Sequence, residues 1–138
     1  MAKDFYHEHV KEALEKSGWT ITDDPLKLGK GLANYEIDLG AQQVFAANRG
    51  PEKIAVEVKS FISHSNISEL QRALGQFLAY KIALRNLDPE RDLFLAVPEE
   101  IFNVFFREDL VDQTLELASA KIVVYDPLEE KIVTWKNY

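Results

Sequence analysis

The feature that most constrains the fold is an apolar run, residues 53–61, that carries Glu57 and Lys59 in its interior. The β-branched side chains of Val56 and Val58 favour a strand, in which successive side chains point to opposite faces. Glu57 and Lys59 are two residues apart, so both project from the face opposite to the valines. Charged groups rarely enter such a run without a partner or a function.

A further acid, Asp38, lies in the preceding apolar segment, residues 35–39. If that segment forms the neighbouring strand, two carboxylates and an ammonium group meet at one point. Carboxylate oxygens suit Mg²⁺ or Mn²⁺, and a nearby lysine can orient water or stabilise charge on a phosphate. This is the minimum for metal-assisted phosphodiester cleavage. The alternative is a solvated strand face, on which Lys59 forms an ion pair with Glu57 or Asp38 that is worth little when exposed.

The pairing of these two segments is a separate question. A simple hairpin centred on Gly50 pairs residue 43 with Glu57. Asp38 then lies five residues away from the position opposite Glu57. We therefore expect a bulge or a bend near Gly40 to bring Asp38 to the site.

The composition indicates one folded domain spanning residues 1–138. The chain is 46% hydrophobic and contains eight Phe, five Tyr and two Trp, which argues against disorder. It contains no cysteine, which excludes disulfides and thiolate zinc sites. We find neither an apolar run of membrane-spanning length nor the apolar core of a signal peptide, and expect a cytoplasmic protein with no membrane partner.

The net charge of −7 is unfavourable for nucleic-acid binding unless the basic residues cluster. Many of them fall between residues 27 and 85, whereas residues 86–130 are rich in acids. We expect DNA to contact the first two thirds of the chain, although the sequence does not distinguish DNA from RNA. The acidic remainder is expected to face a protein partner.

Periodicity and helix-breaking residues predict an α/β fold with a mixed sheet and the element order α-β-β-β-α-β, followed by helix and a β-hairpin. The predicted helices are residues 4–17, 67–87, a segment opened by Pro98, and 108–119. The predicted strands are residues 19–22, 34–47, 53–60, 93–97, 122–125 and 132–135. Residues 26–33 predict a flexible loop. Phe102, Phe105 and Phe106 are predicted to be core residues, because a base-stacking platform needs basic neighbours.

Asp38, eighteen intervening residues and then Glu57-Val58-Lys59 resemble the motif of the PD-(D/E)xK phosphodiesterase superfamily, which has a restriction-endonuclease-like core. Ile37 stands where the motif's name has proline. The resemblance implies a Mg²⁺- or Mn²⁺-dependent endonuclease. In it Asp38, Glu57 and the backbone carbonyl of Val58 are the metal ligands, and Lys59 positions water.

Four more residues are candidates for supporting roles. Gln76 and Tyr80 lie four apart on one face of a predicted helix, as in some branches of that superfamily, and could hydrogen-bond Lys59 or the nucleic-acid backbone. Glu8 on the first helix is a candidate helper ligand, and Glu36 is a candidate third acid. The alternatives are a helix flank for the first pair, a solvated helix position for Glu8 and a surface position for Glu36.

Over its whole length the chain resembles a narrower group, the cyanobacterial XisH family of fdxN-element excision controlling factors. The resemblance rests on residues 4–8, 18–25, 55–61, 75–80 and 125–127. It implies a role in programmed DNA excision during heterocyst development, alongside a separate recombinase and a XisI-type companion. Contact with that companion or with a second copy, as a homodimer, is expected in the acidic C-terminal third. A controlling role does not require cleavage, so a non-cleaving regulatory module that binds DNA or a partner is the alternative.

Overall fold

The computed structural model describes residues 4–29, 34–43 and 51–138. Its α-helices are α1 (His7–Lys16), α2 (Asn66–Leu87), α3 (Glu99–Asn103) and α4 (Asp109–Leu117), with a 3₁₀ turn at Phe105–Arg107. Its strands are β1 (Thr20–Asp23), β2 (Leu26–Leu28), β3 (Tyr35–Ile37), β4 (Leu39–Gln43), β5 (Glu52–Val58), β6 (Arg91–Pro98), β7 (Lys121–Asp126) and β8 (Lys131–Asn137).

Six of these strands form one mixed sheet in the order β1-β4-β5-β6-β7-β8, and β2 and β3 form a separate antiparallel pair. Strands β5, β6 and β7 are parallel, as expected when helices connect them. The pairs β1–β4, β4–β5 and β7–β8 are antiparallel. The main sheet with its first two helices therefore reads α1-β1-β4-β5-α2-β6. This confirms the predicted α-β-β-β-α-β core with an added helical segment and C-terminal hairpin.

The two faces of the sheet carry separate hydrophobic clusters. Val56 and Val58 face the cluster that contains Val10 of α1, whereas Ala55 faces the cluster that contains Phe77 of α2. Both faces of β5 are thus covered, which explains its nearly continuous apolar sequence. Because side chains alternate along a strand, Glu57 lies on the α2 face.

The second predicted strand, residues 34–47, is divided at Asp38. Residues before it form β3, which pairs with β2, and residues after it form β4 in the main sheet. The loop predicted over residues 26–33 is therefore wrong at Leu26–Leu28. Leu26 and Leu28 are buried and pair with β3. The local sequence contains no pattern that predicts this pairing. Residues 30–33 and 44–50, which include most of the predicted turn, lie outside the described residues.

The expected hairpin register is also wrong. Leu39 pairs with Val56 and Gln43 pairs with Glu52, so the pairing is centred between residues 47 and 48 rather than on Gly50. Continuing this register by one residue places Asp38 opposite Glu57. No bulge in β4 is needed, and the irregularity near Gly40 belongs to β1.

The helical parts follow the prediction more closely. Ser65 caps α2 by accepting a hydrogen bond from the Ser68 N–H at 3.2 Å. Phe106 is buried, and Phe102 and Phe105 pack against the cluster on the α2 face, so all three are core residues as predicted. Within the described ranges, no helix is both long and apolar enough to span a membrane.

Candidate functional site

Asp38 and Glu57 hold each other at the point where β3 diverges from the main sheet. The N–H of Asp38 donates a hydrogen bond to Glu57 Oε1 at 3.2 Å. In return, Asp38 Oδ2 accepts a hydrogen bond from the N–H of Val58 at 2.8 Å. Each carboxylate is thereby fixed to the other strand, and the two acidic groups cannot move apart without breaking these bonds.

Lys59 follows the last residue of β5, yet its backbone and side chain are both held. Its N–H donates to the Ala96 carbonyl at 2.9 Å, and its own carbonyl accepts a hydrogen bond from the Tyr125 hydroxyl at 3.2 Å. Its Nζ lies 2.6 Å from Gln76 Oε1 and 3.6 Å from Glu57 Oε2. The ammonium group therefore lies beside the Glu57 carboxylate.

The electrostatics of the pair reflect its burial. Glu57 is only 5% exposed. Burial and the neighbouring charge of Asp38 raise the pKa of Glu57 to about 8, although the Lys59 charge opposes the shift. Without a cation, the site therefore holds a proton on Glu57 near neutral pH.

The donor set fits a hard divalent cation. The carboxylates of Asp38 and Glu57 supply oxygen ligands, which Mg²⁺ and Mn²⁺ prefer. The N–H and C=O of one strand residue point to the same edge. The Val58 N–H points at Asp38, so the Val58 carbonyl lies on that edge as well and is available as a third oxygen.

Three of the supporting residues lie around the pair. Gln76 accepts the hydrogen bond from Lys59, one of the two contacts expected for it. Tyr80 is buried with its ring 6.0 Å from that of Tyr35, and burial together with the charges of Glu57, Asp38 and Glu36 raises its pKa to about 12. Glu36 is exposed on β3, in line with its surface alternative.

Glu8 belongs to a different group. Single ligand atoms of His7, Glu8 and Asp24 lie within 4.8 Å of one another. His7 Nε2 and Lys11 Nζ contact the two oxygens of Asp24 at 2.7 and 2.9 Å, so the acid already has cationic and imidazole partners. Helix α1 covers the sheet face opposite to Glu57, so the structure places Glu8 with His7 and Asp24 rather than beside the Asp38–Glu57 pair.

One residue that sequence reasoning missed is Tyr125. It is fully buried on β7, two strands away from β5, and its hydroxyl reaches the Lys59 carbonyl. The sequence predicts a strand over residues 122–125 but assigns Tyr125 no role at the site. No spacing rule connects position 125 with position 59, because the contact depends on the order of the parallel strands.

Comparison with known proteins gives consistent matches over nearly the whole chain. The family model described as XisH protein matches residues 1–133. The crystal structure of an XisH family protein from Nostoc punctiforme has a TM-score of 0.88 and 44% identity, covering 97% of this chain and 100% of that one. The crystal structure of an fdxN element excision controlling factor protein from Anabaena variabilis has a TM-score of 0.86 and 44% identity, covering 96% and 98%. None of the curated proteins compared with the chain matches it.

Proposed function

This chain belongs to the XisH family, and from that membership we propose that it is a controlling factor in programmed excision of a DNA element and carries a metal-dependent DNA phosphodiesterase site. The observation that carries the chemistry is the opposition of Asp38 and Glu57, with Lys59 beside them. The excision role draws on the name of the Anabaena variabilis relative. That name describes a process and not a reaction, so the proposed chemistry is argued from Asp38, Glu57 and Lys59 alone.

Two carboxylates held together are unfavourable when both are ionised, and the burial of Glu57 strengthens this effect. A Mg²⁺ or Mn²⁺ ion bound by Asp38, Glu57 and the Val58 carbonyl would relieve that repulsion and act as a Lewis acid at the scissile phosphate. Hydrolysis forms a bond from a water oxygen to phosphorus and breaks one P–O ester bond, giving a phosphomonoester and an alcohol.

Lys59 has the position to assist this reaction. Its neutral partner Gln76 fixes the side chain without removing its charge. The ammonium group can therefore hydrogen-bond the attacking water or stabilise the charge developing on the phosphate oxygens. Tyr80, whose pKa is raised to about 12, stays protonated at neutral pH and can only donate or accept a hydrogen bond as a phenol.

The second candidate is a module that binds DNA or a protein partner without cutting. Its supporting observation is that Asp38, Glu57 and Lys59 already have hydrogen-bond partners within the protein. A proton on Glu57 can therefore take the place of a cation. The net charge of −7 favours a protein partner over DNA for this module, because it repels phosphate. In this reading a XisI-type companion, a recombinase or a second copy of the chain binds the acidic C-terminal third.

Supercoiled plasmid incubated with purified protein and Mg²⁺ or Mn²⁺ tests the two candidates. The matched variants are Glu57→Gln in the site and Glu52→Gln at the exposed start of the same strand. We expect nicking by the parent and by Glu52→Gln, and none by Glu57→Gln. In calorimetric titrations, Mn²⁺ should bind to the parent and to Glu52→Gln but not to Glu57→Gln. Nicking that survives Glu57→Gln, or Mn²⁺ binding that is equal in all three, would refute the phosphodiesterase assignment.

A further inference from the structure

A cavity of about 200 Å³ lies between the second half of α2, the start of β6 and the connection from α4 to β7. Its apolar lining includes Phe77, Leu84 and Leu93. Its cationic lining includes Lys81, Arg85 and Lys121. An apolar floor with cations around it is the chemistry of a site for an anion that carries an apolar body.

The positive charge of this cavity is not cancelled by its surroundings. Arg91 is used internally, since it donates to Asp88 at 2.9 Å and to the Ile54 carbonyl at 2.8 Å, and Lys121 pairs with Asp92 at 3.4 Å. Lys81 and Arg85 have no acidic partner within ion-pair distance among the residues that the structure describes. Lys81 and Arg85 therefore give this cavity a positive rim, although the chain as a whole has a net charge of −7.

The cavity is separate from the Asp38–Glu57 site. The cavity opens beside Arg91 of β6, whereas Glu57 pairs with Leu95, four residues further along the same strand. At ~3.3 Å per residue, the cavity and Glu57 are about 13 Å apart along the strand direction. On α2, Lys81 lies five residues beyond Gln76, and the helical repeat of 3.6 turns it to the other flank. A ligand in the cavity does not reach the carboxylate pair.

We propose that this cavity is a second ligand site, for a phosphate monoester attached to a planar apolar ring, the chemistry of a mononucleotide. The volume is below the ~300–1,000 Å³ of pockets that enclose drug-sized ligands, so one ring enters and the phosphate stays at the rim. Phe77 and Leu84 are 1% and 2% exposed and only close the base of the cavity, so the ring lies against Leu93, Pro89 and the aliphatic stem of Lys81. The phosphate is bound by the charged groups of Lys81 and Arg85. A guanidinium suits phosphate because its N–H groups match two phosphate oxygens.

The same chemistry is offered by a free mononucleotide and by the 5′-phosphorylated end of a strand. The site does not depend on the proposed phosphodiesterase activity, since none of its residues belongs to the carboxylate pair. A nucleotide bound there would let the protein sense a strand end, or a nucleotide, at a place remote from Asp38.

The test is an NMR titration of the full-length ¹⁵N-labelled protein with adenosine 5′-monophosphate, inorganic phosphate and a 5′-phosphorylated single-stranded DNA decamer. We expect the monophosphate to shift the amides of Leu93, Ser119 and Lys121. The double variant Lys81→Ala/Arg85→Ala should weaken this binding at least tenfold. The control Arg72→Ala/Lys131→Ala removes two exposed cations outside the cavity and should leave the affinity unchanged.

The outcomes separate the sources and the failures. Tighter binding of the decamer than of the monophosphate, lost in the cavity variant, supports the site with a strand end as its ligand. Tighter binding of the monophosphate supports it with a free nucleotide. Equal affinity for inorganic phosphate and the monophosphate overturns the role of the apolar floor. Equal weakening by the control variant, or no shifts at millimolar monophosphate, overturns the site.

Discussion

Asp38 lies directly opposite Glu57 in the continued register of β4 and β5, and its N–H donates a hydrogen bond to the Glu57 carboxylate at 3.2 Å. The chain diverges into β3 at this residue, so Asp38 is released from further strand pairing. Its own carboxylate then binds the N–H of Val58. The consequence is a buried Glu57 carboxylate beside the half-buried carboxylate of Asp38, an arrangement that a proton or a cation stabilises.

The pH dependence of folding follows from that pair. Glu57 has a pKa of about 8 in the fold, raised from 4.5, so its contribution to stability is full below about pH 4.5 and is lost as the pH rises through about 8. Glu57→Gln mimics the protonated acid at every pH. In EDTA, we expect the variant to gain in urea midpoint over the parent at pH 8.5 and much less at pH 5.5. An equal difference at both values would contradict the raised pKa; Glu52→Gln is the control.

Lys59→Met should preserve the fold while removing cleavage. Met replaces the aliphatic stem with little change of volume, and the charge disappears. We expect Mn²⁺ binding to persist and plasmid nicking to fall at least ~100-fold, the usual cost of losing a group that stabilises transition-state charge. Lys53→Met, at a half-buried position of the same strand, is the matched control. If Lys59→Met nicks as fast as the parent, Lys59 is structural.

Tyr125→Phe tests whether the position of Lys59 depends on β7. The variant removes only the hydroxyl that donates to the Lys59 carbonyl, in a fully buried setting. Leaving that carbonyl without its donor should cost about 1–3 kcal/mol in the free energy of unfolding measured with urea. Nicking should also slow, with Mn²⁺ affinity unchanged, since neither carboxylate is touched. Unchanged stability and rate would mean that Ala96 alone holds the segment.

A protein partner is expected to bind the acidic C-terminal third. Phe102, Phe105 and Phe106 face the protein's own core, so the contact must use the charged and apolar groups that remain outside. Glu99 and Glu100 line a cavity at the carboxyl end of β6. Reversing both to Lys should weaken association with a XisI-type companion or a second copy, measured by analytical ultracentrifugation. Loss of DNA binding with association intact would show that the assignment is wrong.

Much of the fold could be predicted from local patterns. Helix α2 follows from its apolar periodicity and from Pro89 beyond its end, and β6 follows from the continuous apolar run at residues 93–97. Both appear where expected. The strand β2 could not be predicted, because its three residues form a strand only through their pairing with β3. Local sequence signals describe single elements, and they do not fix which distant strands meet.

For the candidate site, too, local features could be predicted from the sequence and the pairing of distant residues could not. Glu57 and Lys59 could be placed on one face from their spacing alone, and the motif supplied Asp38. The register that brings Asp38 opposite Glu57 could not be derived, because a turn centred 2.5 residues earlier than assumed shifts every pair along β4. The role of Tyr125 was invisible for a related reason, since it acts across two parallel strand pairings.

Gly40 provides a test of the packing that supports this end of the sheet. A Cβ there would lie 2.7 Å from Asp23 Oδ2 and 3.0 Å from Arg91 Nη1. Arg91 cannot easily move, because it also binds Asp88 and the Ile54 carbonyl. We therefore expect Gly40→Ala to destabilise the protein by about 1–3 kcal/mol in urea unfolding, the usual cost of overpacking.

The matched control is Gly75→Ala, in the exposed middle of α2, where a Cβ would meet nothing within 4 Å. The same chemical change should there stabilise the protein by about 0.5–1 kcal/mol, because alanine loses less conformational freedom than glycine in a helix. If Gly40→Ala destabilises the protein and Gly75→Ala stabilises it, the loss at position 40 comes from the close contact with the Asp23 and Arg91 side chains. If both variants stabilise the protein, the side chains of Asp23 and Arg91 adjust to a Cβ at position 40 without a net cost.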